Sequence, residues 1–308
     1  MHGSQTIVET LQMVAAQERR DATEYFVAAR RTATAMPVAR SIDNFLNDHR
    51  ADKRIEIAGK LAIVETILEA ERGTSLFADH ARIDLIPNLE ALRGRWFTRF
   101  WHVFTEDCPP EALPERSTTV AFIVFNYDRC LEQFLYAAMR HYYGFTFDRA
   151  AEAVNRISIY HPYGSVGWLP WQGKSPATHF GGKAVREDLI NVARQIKTFT
   201  EGVDENASDI LDIRRVLREA RRVVFLGFAY HTQNMRLLWP AQATDQERQQ
   251  EGKRAFGTAL NLSDSDARII AQEINHFGGI GAGTILRNNL TCGDLFTEYS
   301  RSLSLLSP

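Results

Sequence analysis

The sequence predicts an α/β protein: a doubly wound, mostly parallel, Rossmann-like sheet with a helical N-terminal part. Three observations predict it. From residue 120 onward, strand-like and helix-like segments alternate. Those strand segments are continuous apolar runs, as in sheets covered on both faces, and not alternating ones. Before them, the first 105 or so residues keep a helical pattern throughout.

Within that first part, Ser41 can cap the segment beginning Ile42-Asp43-Asn44-Phe45-Leu46, because its hydroxyl can accept from a free amide of the first turn. Ile55 to Glu71 has few breakers and sets Leu61, Val64 and Leu68 on one face. Prolines at 109, 110 and 114 interrupt the helical pattern between Glu106 and Thr119. The expected division is therefore a mainly helical segment over 1–115 and a nucleotide-binding core over 116–308.

Val120 to Phe125 (VAFIVF) reads as a strand buried on both faces, ending at Asn126-Tyr127-Asp128. The helix after it carries Leu131, Phe134, Leu135, Ala138, Met139 and Tyr142 on one stripe and stops near Gly144. A second strand, Arg156 to Tyr160, runs straight into His161. A Gly/Pro/Trp loop (168–183), a helix near 184–199 and an acidic turn (TEGVDENAS) follow. Then comes a helix from Ile210 to Arg222, with Ile210, Ile213, Leu217 and Ala220 on one stripe. It leads to a third strand, Val223 to Leu226, closed by Gly227.

Composition narrows the function. With 44% hydrophobic and 24% charged residues the chain is of the globular kind. Its 36 basic against 38 acidic side chains leave a net charge of −2, which argues against a protein built mainly to coat nucleic acid. No apolar run approaches the roughly 18 to 20 residues that cross a bilayer, and Met1 to Arg20 has no apolar signal-peptide core. A cytoplasmic protein without a membrane partner is expected. Cys108, Cys130 and Cys292 lie too far apart for a zinc knuckle or disulfide framework, so no metal is expected, and Cys130 reads as a buried free thiol.

Several motifs carry no chemistry. Gly167-WLPWQ-Gly173-Lys174-Ser175 has five residues between its glycines where a phosphate loop has four, and prolines surround it. The glycine-rich stretch 278–283 follows a helical segment and reads as a loop, and Tyr163 occupies the position where a nucleophile elbow needs glycine. Arg214, Arg215, Arg218, Arg221 and Arg222 fall on the solvent side and last turn of their helix, where cations suit the helix dipole. What remains is a set at the strand ends: Asn126, Asp128, His161, Gly164, Ser165 and Gly227. In parallel sheets ligands sit at the carboxyl ends of strands. Amides and carboxylates there bind hydroxyls, and an imidazole takes a proton from one, which suits a ribose-containing ligand.

The strand ending FNYD, the strand ending IYHPYGS, the segment VVFLGFAYHTQN and the upstream SIDNFL, in this order, resemble the bacterial sirtuin-like NAD-hydrolysing proteins, many of which act in anti-phage defence. The resemblance spans roughly residues 36 to 300. It implies a sirtuin-type core and NAD+ as substrate. It matches Asn126 and Asp128, with Tyr127 between them, to the family's N-x-D at the nicotinamide-ribose pocket, and His161 to its catalytic histidine. Gly164 and Ser165 follow as in the family. Gly227 matches the glycine whose loop lines the adenosine ribose, and His231 and Asn234 lie on the same segment.

Three departures accompany it. No strand with a glycine-rich G-A-G loop precedes Met36, so the chain is expected to begin after that element. The usual H-G pair is widened to His161-Pro162-Tyr163-Gly164. The zinc-holding cysteine pairs of deacylating sirtuins are absent, which favours hydrolysis. The expected activity is an NAD+ glycohydrolase in which His161, at an ordinary pKa near 6.5, is the base and Asn126 orients the ribose or the water. The alternative is a catalytically incomplete module that binds nucleotide weakly or holds a partner. The resemblance further implies a homo-oligomer, partnered by a HerA-type ring ATPase or an Argonaute-type protein.

Overall fold

The computed structural model describes residues 4–78, 87–184, 186–198, 208–239, 252–280 and 283–306. The expected acidic turn lies outside them up to residue 207, as do residues 281 and 282 of the glycine-rich stretch. In chain order the elements are α1 (Gln5–Gln17), α2 (Ala22–Ala35), α3 (Ile42–Asp48), α4 (Lys53–Arg72), α5 (Trp96–Thr105), α6 (Leu113–Arg116) and β1 (Ala121–Ile123). Next come α7 (Cys130–Tyr143), α8 (Phe147–Asn155), β2 (Ser158–Tyr160), α9 (Arg186–Ala193) and α10 (Ser208–Glu219). The chain ends with β3 (Arg222–Phe225), α11 (Thr232–Leu238), β4 (Arg254–Thr258), α12 (Asp264–Gly278), β5 (Thr284–Arg287), α13 (Cys292–Glu298) and α14 (Ser300–Leu303). Two compact units result, one from Met1–Ala91 with Phe122–Val203, the other from Leu92–Ala121 with Asp204–Pro308. Both draw residues from each side of residue 115.

In the first unit each early helix begins on a side chain that takes a free amide. Asp21 accepts from Thr23 N at 2.9 Å, Ser41 from Asn44 N at 3.1 Å and Asp52 from Arg54 N at 3.1 Å. The expected stripe of Leu61, Val64 and Leu68 on α4 is buried. It packs with Leu11 and Val14 of α1, Tyr25 of α2, Phe45 and Leu46 of α3, and Leu189 and Val192 of α9. Tyr127, from the loop after β1, rests against this helical core.

β1 lies beside β2, joined at their ends by Val124 N donating to Tyr160 O at 2.8 Å. Here the sequence expectation needs correction: no residue of 120–125 is buried, and Ala121 is exposed. Among the described residues β1 has one hydrogen-bonded neighbour, so its other edge lacks the cover that a central strand receives. In α7, Leu131, Phe134, Leu135, Ala138 and Met139 are buried as expected, and Gly144 (φ +65°) ends the helix in a left-handed turn. Tyr142 departs from the stripe and is 60% exposed, because it sits in the last turn where the chain leaves the packed face.

In the second unit β3, β4 and β5 form a parallel sheet in that order, with Val224 opposite Phe256 and Phe256 opposite Ile285. The third strand of the sequence reading thus pairs with β4. Among the described residues the strands are divided between a two-stranded and a three-stranded sheet, where the sequence predicts one doubly wound sheet. Ile210, Ile213 and Leu217 of α10 are buried. On its arginine side, Arg215 pairs with Asp212 at 2.9 Å and Arg214 donates to Leu237 O at 3.1 Å, so these cations serve local contacts.

β4 is central and buried from Ala255 to Thr258. Gly257 is required there, because a Cβ would come within 2.5 Å of Tyr230 Oη and 2.7 Å of Leu286 Cδ2. Gly257→Ala is expected to destabilise the second unit by about 1 to 3 kcal/mol, the scale of core overpacking. Chemical denaturation followed by hydrogen exchange in β3–β5 measures this, and unchanged protection of those strands would contradict the packing.

Candidate active site

The chain between β1 and α7 is held by a buried ion pair. Arg129 and Glu71, the latter in the last turn of α4, are 1% and 0% exposed, with Arg129 Nη2 2.6 Å from Glu71 Oε2. Glu71 Oε1 also accepts from Arg129 N at 2.9 Å and Nε at 3.1 Å, and Oε2 from Gly181 N at 2.9 Å. The guanidinium further donates to Thr178 O at 2.5 Å and His179 O at 3.2 Å. Neighbouring Arg72 donates to Gly181 O at 2.9 Å. A buried charge pair is tolerable only when its remaining donors and acceptors are met. Both carboxylate oxygens and all three guanidinium nitrogens are met here.

With Arg129 fixed, the preceding residues have little freedom. Asp128 Oδ1 accepts from Cys130 N at 3.1 Å, closing the start of α7. Burial, and then Asp128, push the Cys130 thiol far up, so it is a poor nucleophile. Tyr127 donates its hydroxyl to Asp43 Oδ1 of α3 at 2.9 Å, and its carbonyl accepts from Val166 N at 3.0 Å. Burial raises the Asp43 pKa, opposed by the Tyr127 hydrogen bond. Asp43 belongs to the SIDNFL segment, which this hydrogen bond ties to FNYD. Asn126 is exposed at the end of this strand.

His161 follows β2. Its carbonyl accepts from Gly164 N at 2.9 Å, closing His161-Pro162-Tyr163-Gly164 into a turn. Gly164 has φ +78°, and a Cβ there would run into the Gln195 carbonyl, so only glycine fits. The widened motif is thus a turn with its own fixed geometry. Ser165 Oγ donates to Gly167 O at 3.3 Å.

The imidazole of His161 lies between two acceptors. Nε2 is 2.7 Å from Glu132 Oε1 and Nδ1 is 3.2 Å from the Asn126 carbonyl oxygen. The side chains of His161 and Glu132 are 10% and 5% exposed. The expected ordinary pKa needs correction. Burial opposes charge on the ring, but Glu132, aided by the Asn126 carbonyl and Asp128, outweighs it and raises the pKa above 6.5. Sequence reasoning missed Glu132. An amphipathic reading of α7 leaves Glu132 and Gln133 on the polar face, whereas both are buried.

Asn126, Tyr127, Asp128, His161, Gly164 and Ser165 therefore belong to the first unit. Gly227, His231 and Asn234 belong to the second. There Gly227 (φ +59°) donates its N–H to Thr258 Oγ1 at 3.0 Å, His231 is exposed before α11, and Asn234 is half-buried on that helix. Among the described residues no three His, Cys, Asp or Glu side chains gather as metal ligands, and no helix is long and apolar enough to cross a membrane. The phosphate-loop look-alike contains a short 3-10 turn, Pro170–Gln172. Its Lys174 lies 4.1 Å above the Trp168 ring, and no helix starts there.

Small parallel sheets between helices, with polar side chains gathered where strands end, define a helix-rich α/β protein of the Rossmann-like kind. Residues 120–275, half of the chain, match the SIR2-like domain, and the chain belongs to that family. SIR2-like domains are typically NAD-dependent enzymes. No curated protein and no solved structure matches the chain.

Arg129→Met leaves Glu71 buried without its cation, and a loss of about 3 to 5 kcal/mol is expected. The double variant Glu71→Leu/Arg129→Met should recover part of it. Denaturation of the three proteins checks this, and a single variant as stable as wild type would contradict the anchoring role.

Proposed function

We propose that this chain is an NAD+ glycohydrolase that releases nicotinamide. The observation that carries the reading is His161, clasped between Glu132 and the loop bearing Asn126 and Asp128, within a SIR2-like domain. Cleaving the bond between nicotinamide and ribose develops positive charge on the ribose, which fixed negative groups favour. Asp128 and Glu132 are such groups. Asn126, exposed at the strand end, orients the ribose or the attacking water, and His161 takes the proton. Tyr127 supports the loop through Asp43. The contribution of Gly227, His231 and Asn234 to the adenosine end, an effector role in anti-phage defence, a cytoplasmic location, self-association, and a HerA-type or Argonaute-type partner rest on the family resemblance.

The test is nicotinamide release from NAD+ by the full chain. His161→Gln is expected to lower it to background. This variant is preferable to His161→Ala, because a glutamine can still donate to the buried Glu132 carboxylate. Asn126→Ala should lose about 10²-fold, the scale for one preorganised polar group at a reacting centre. Tyr127→Phe, which gives up the hydroxyl's contacts with Asp43 and the Lys197 carbonyl, should lose far less. Equal losses at Asn126 and Tyr127, or undiminished turnover in a folded His161→Gln protein, would overturn the reading. Weak NAD+ binding with no turnover in wild type would favour the incomplete module.

A further inference from the structure

We propose that Glu132 is the positioning residue of this site: it holds the Nε2 proton of His161 and so makes Nδ1, on the Asn126 side, the nitrogen that exchanges a proton with the ligand. The assignment of Nδ1 to a reacting hydroxyl or water rests on the NAD+ reading above; the tautomer and its cause do not.

A carboxylate accepts and never donates when ionised, so the 2.7 Å contact places the hydrogen on Nε2. The partner on the other side, the Asn126 carbonyl, is also only an acceptor. With both nitrogens on acceptors the resting ring is an imidazolium, and on losing one proton it must present a lone pair to one of the two oxygens. The two sides differ in contact distance and exposure. Glu132 sits on α7 among buried Leu131, Phe134 and Leu135, and its contact is short. The Asn126 contact is longer, 3.2 Å, and Asn126 is exposed. Nδ1 is therefore the side that opens.

Glu132 has a further reason to keep its proton donor. Its second oxygen, Oε2, is buried and meets no hydrogen-bond partner among the described residues. His161 is the donor that compensates this carboxylate there, and releasing it would leave a buried charge unmet. The charged groups acting on the ring are Glu132 of α7 and Asp128 of the loop before it, both negative. Each favours the imidazolium, so the ring serves as a base only after Nδ1 has given up its proton.

In the step this serves, an O–H bond of water breaks and its proton goes to Nδ1. The water oxygen forms the new bond to the ribose carbon, and the electron pair of the broken C–N bond leaves with nicotinamide. Turnover is then low in acid and rises with pH through a midpoint above 6.5. Linked stability has the opposite sense: the pair contributes fully below 6.5 and its contribution fades as pH rises through the raised midpoint.

The experiment is a nitrogen-15 NMR titration of the His161 ring in the full chain without ligand, in wild type and Glu132→Gln, with His161→Gln for assignment. Wild type should titrate above 6.5, with the neutral form protonated on Nε2. Glu132→Gln, whose amide oxygen still accepts from Nε2 but lacks the charge, should lower the midpoint by about one pH unit or more. In turnover, the acid limb should move down with it, while KM changes less than kcat. Equal midpoints in both proteins, or a neutral wild-type ring protonated on Nδ1, would overturn the proposal. If Glu132→Gln fails to fold, the wild-type tautomer decides alone. Expected titrations without nicotinamide release would reject the NAD+ reading and leave the positioning role standing.

Discussion

The pairing of Glu71 with Arg129 is the constraint on which the site depends. It joins the end of α4, the start of α7 and the 178–182 segment through hydrogen bonds that leave neither charged group unmet. Replacing such a pair by apolar groups is often neutral for stability, and what the pair does here is hold these three segments together. That arrangement fixes residue 129, and through it Asp128 and the Asn126 carbonyl on one side and Glu132 one helical turn away on the other. A small error at Arg129 would be passed to every group that faces His161.

The unit therefore buries two carboxylates with two different cations. Glu71 holds a guanidinium, which stays charged at any physiological pH. Glu132 holds an imidazole, the side chain whose charge changes most readily in that range. The first pair is a fixture and the second can exchange a proton, and Arg129 of the one and Glu132 of the other meet at the start of α7. This division matches what proton-transfer chemistry needs: a rigid frame, and one group within it whose protonation can vary.

What could be read from the sequence was local. The Ser41 cap, the Leu61-Val64-Leu68 stripe, the apolar face of α7 and its end at Gly144 follow from short-range spacing, and the structure has them. Asn126, Asp128 and His161 stood out because they end apolar runs. The strands were harder. β4 has two apolar residues and a glycine, yet it is the most enclosed of the five, since Gly257 makes room for Tyr230 and Leu286. VAFIVF reads as a core strand by composition, but burial depends on neighbours that composition does not reveal. Glu71 and Glu132 were invisible for the same reason. One meets its partner 58 residues away and the other 29, and nothing in helical periodicity marks a carboxylate that turns inward.

We propose that NAD+ engages the first unit at the ends of β1 and β2. Hydrogen–deuterium exchange of the full chain, with and without a hydrolysis-resistant NAD+ analogue, tests it most directly. Slowed exchange is expected over 124–132 and 160–166 when the analogue is present. Slowed exchange confined to other segments, or none anywhere at saturating analogue, would contradict it.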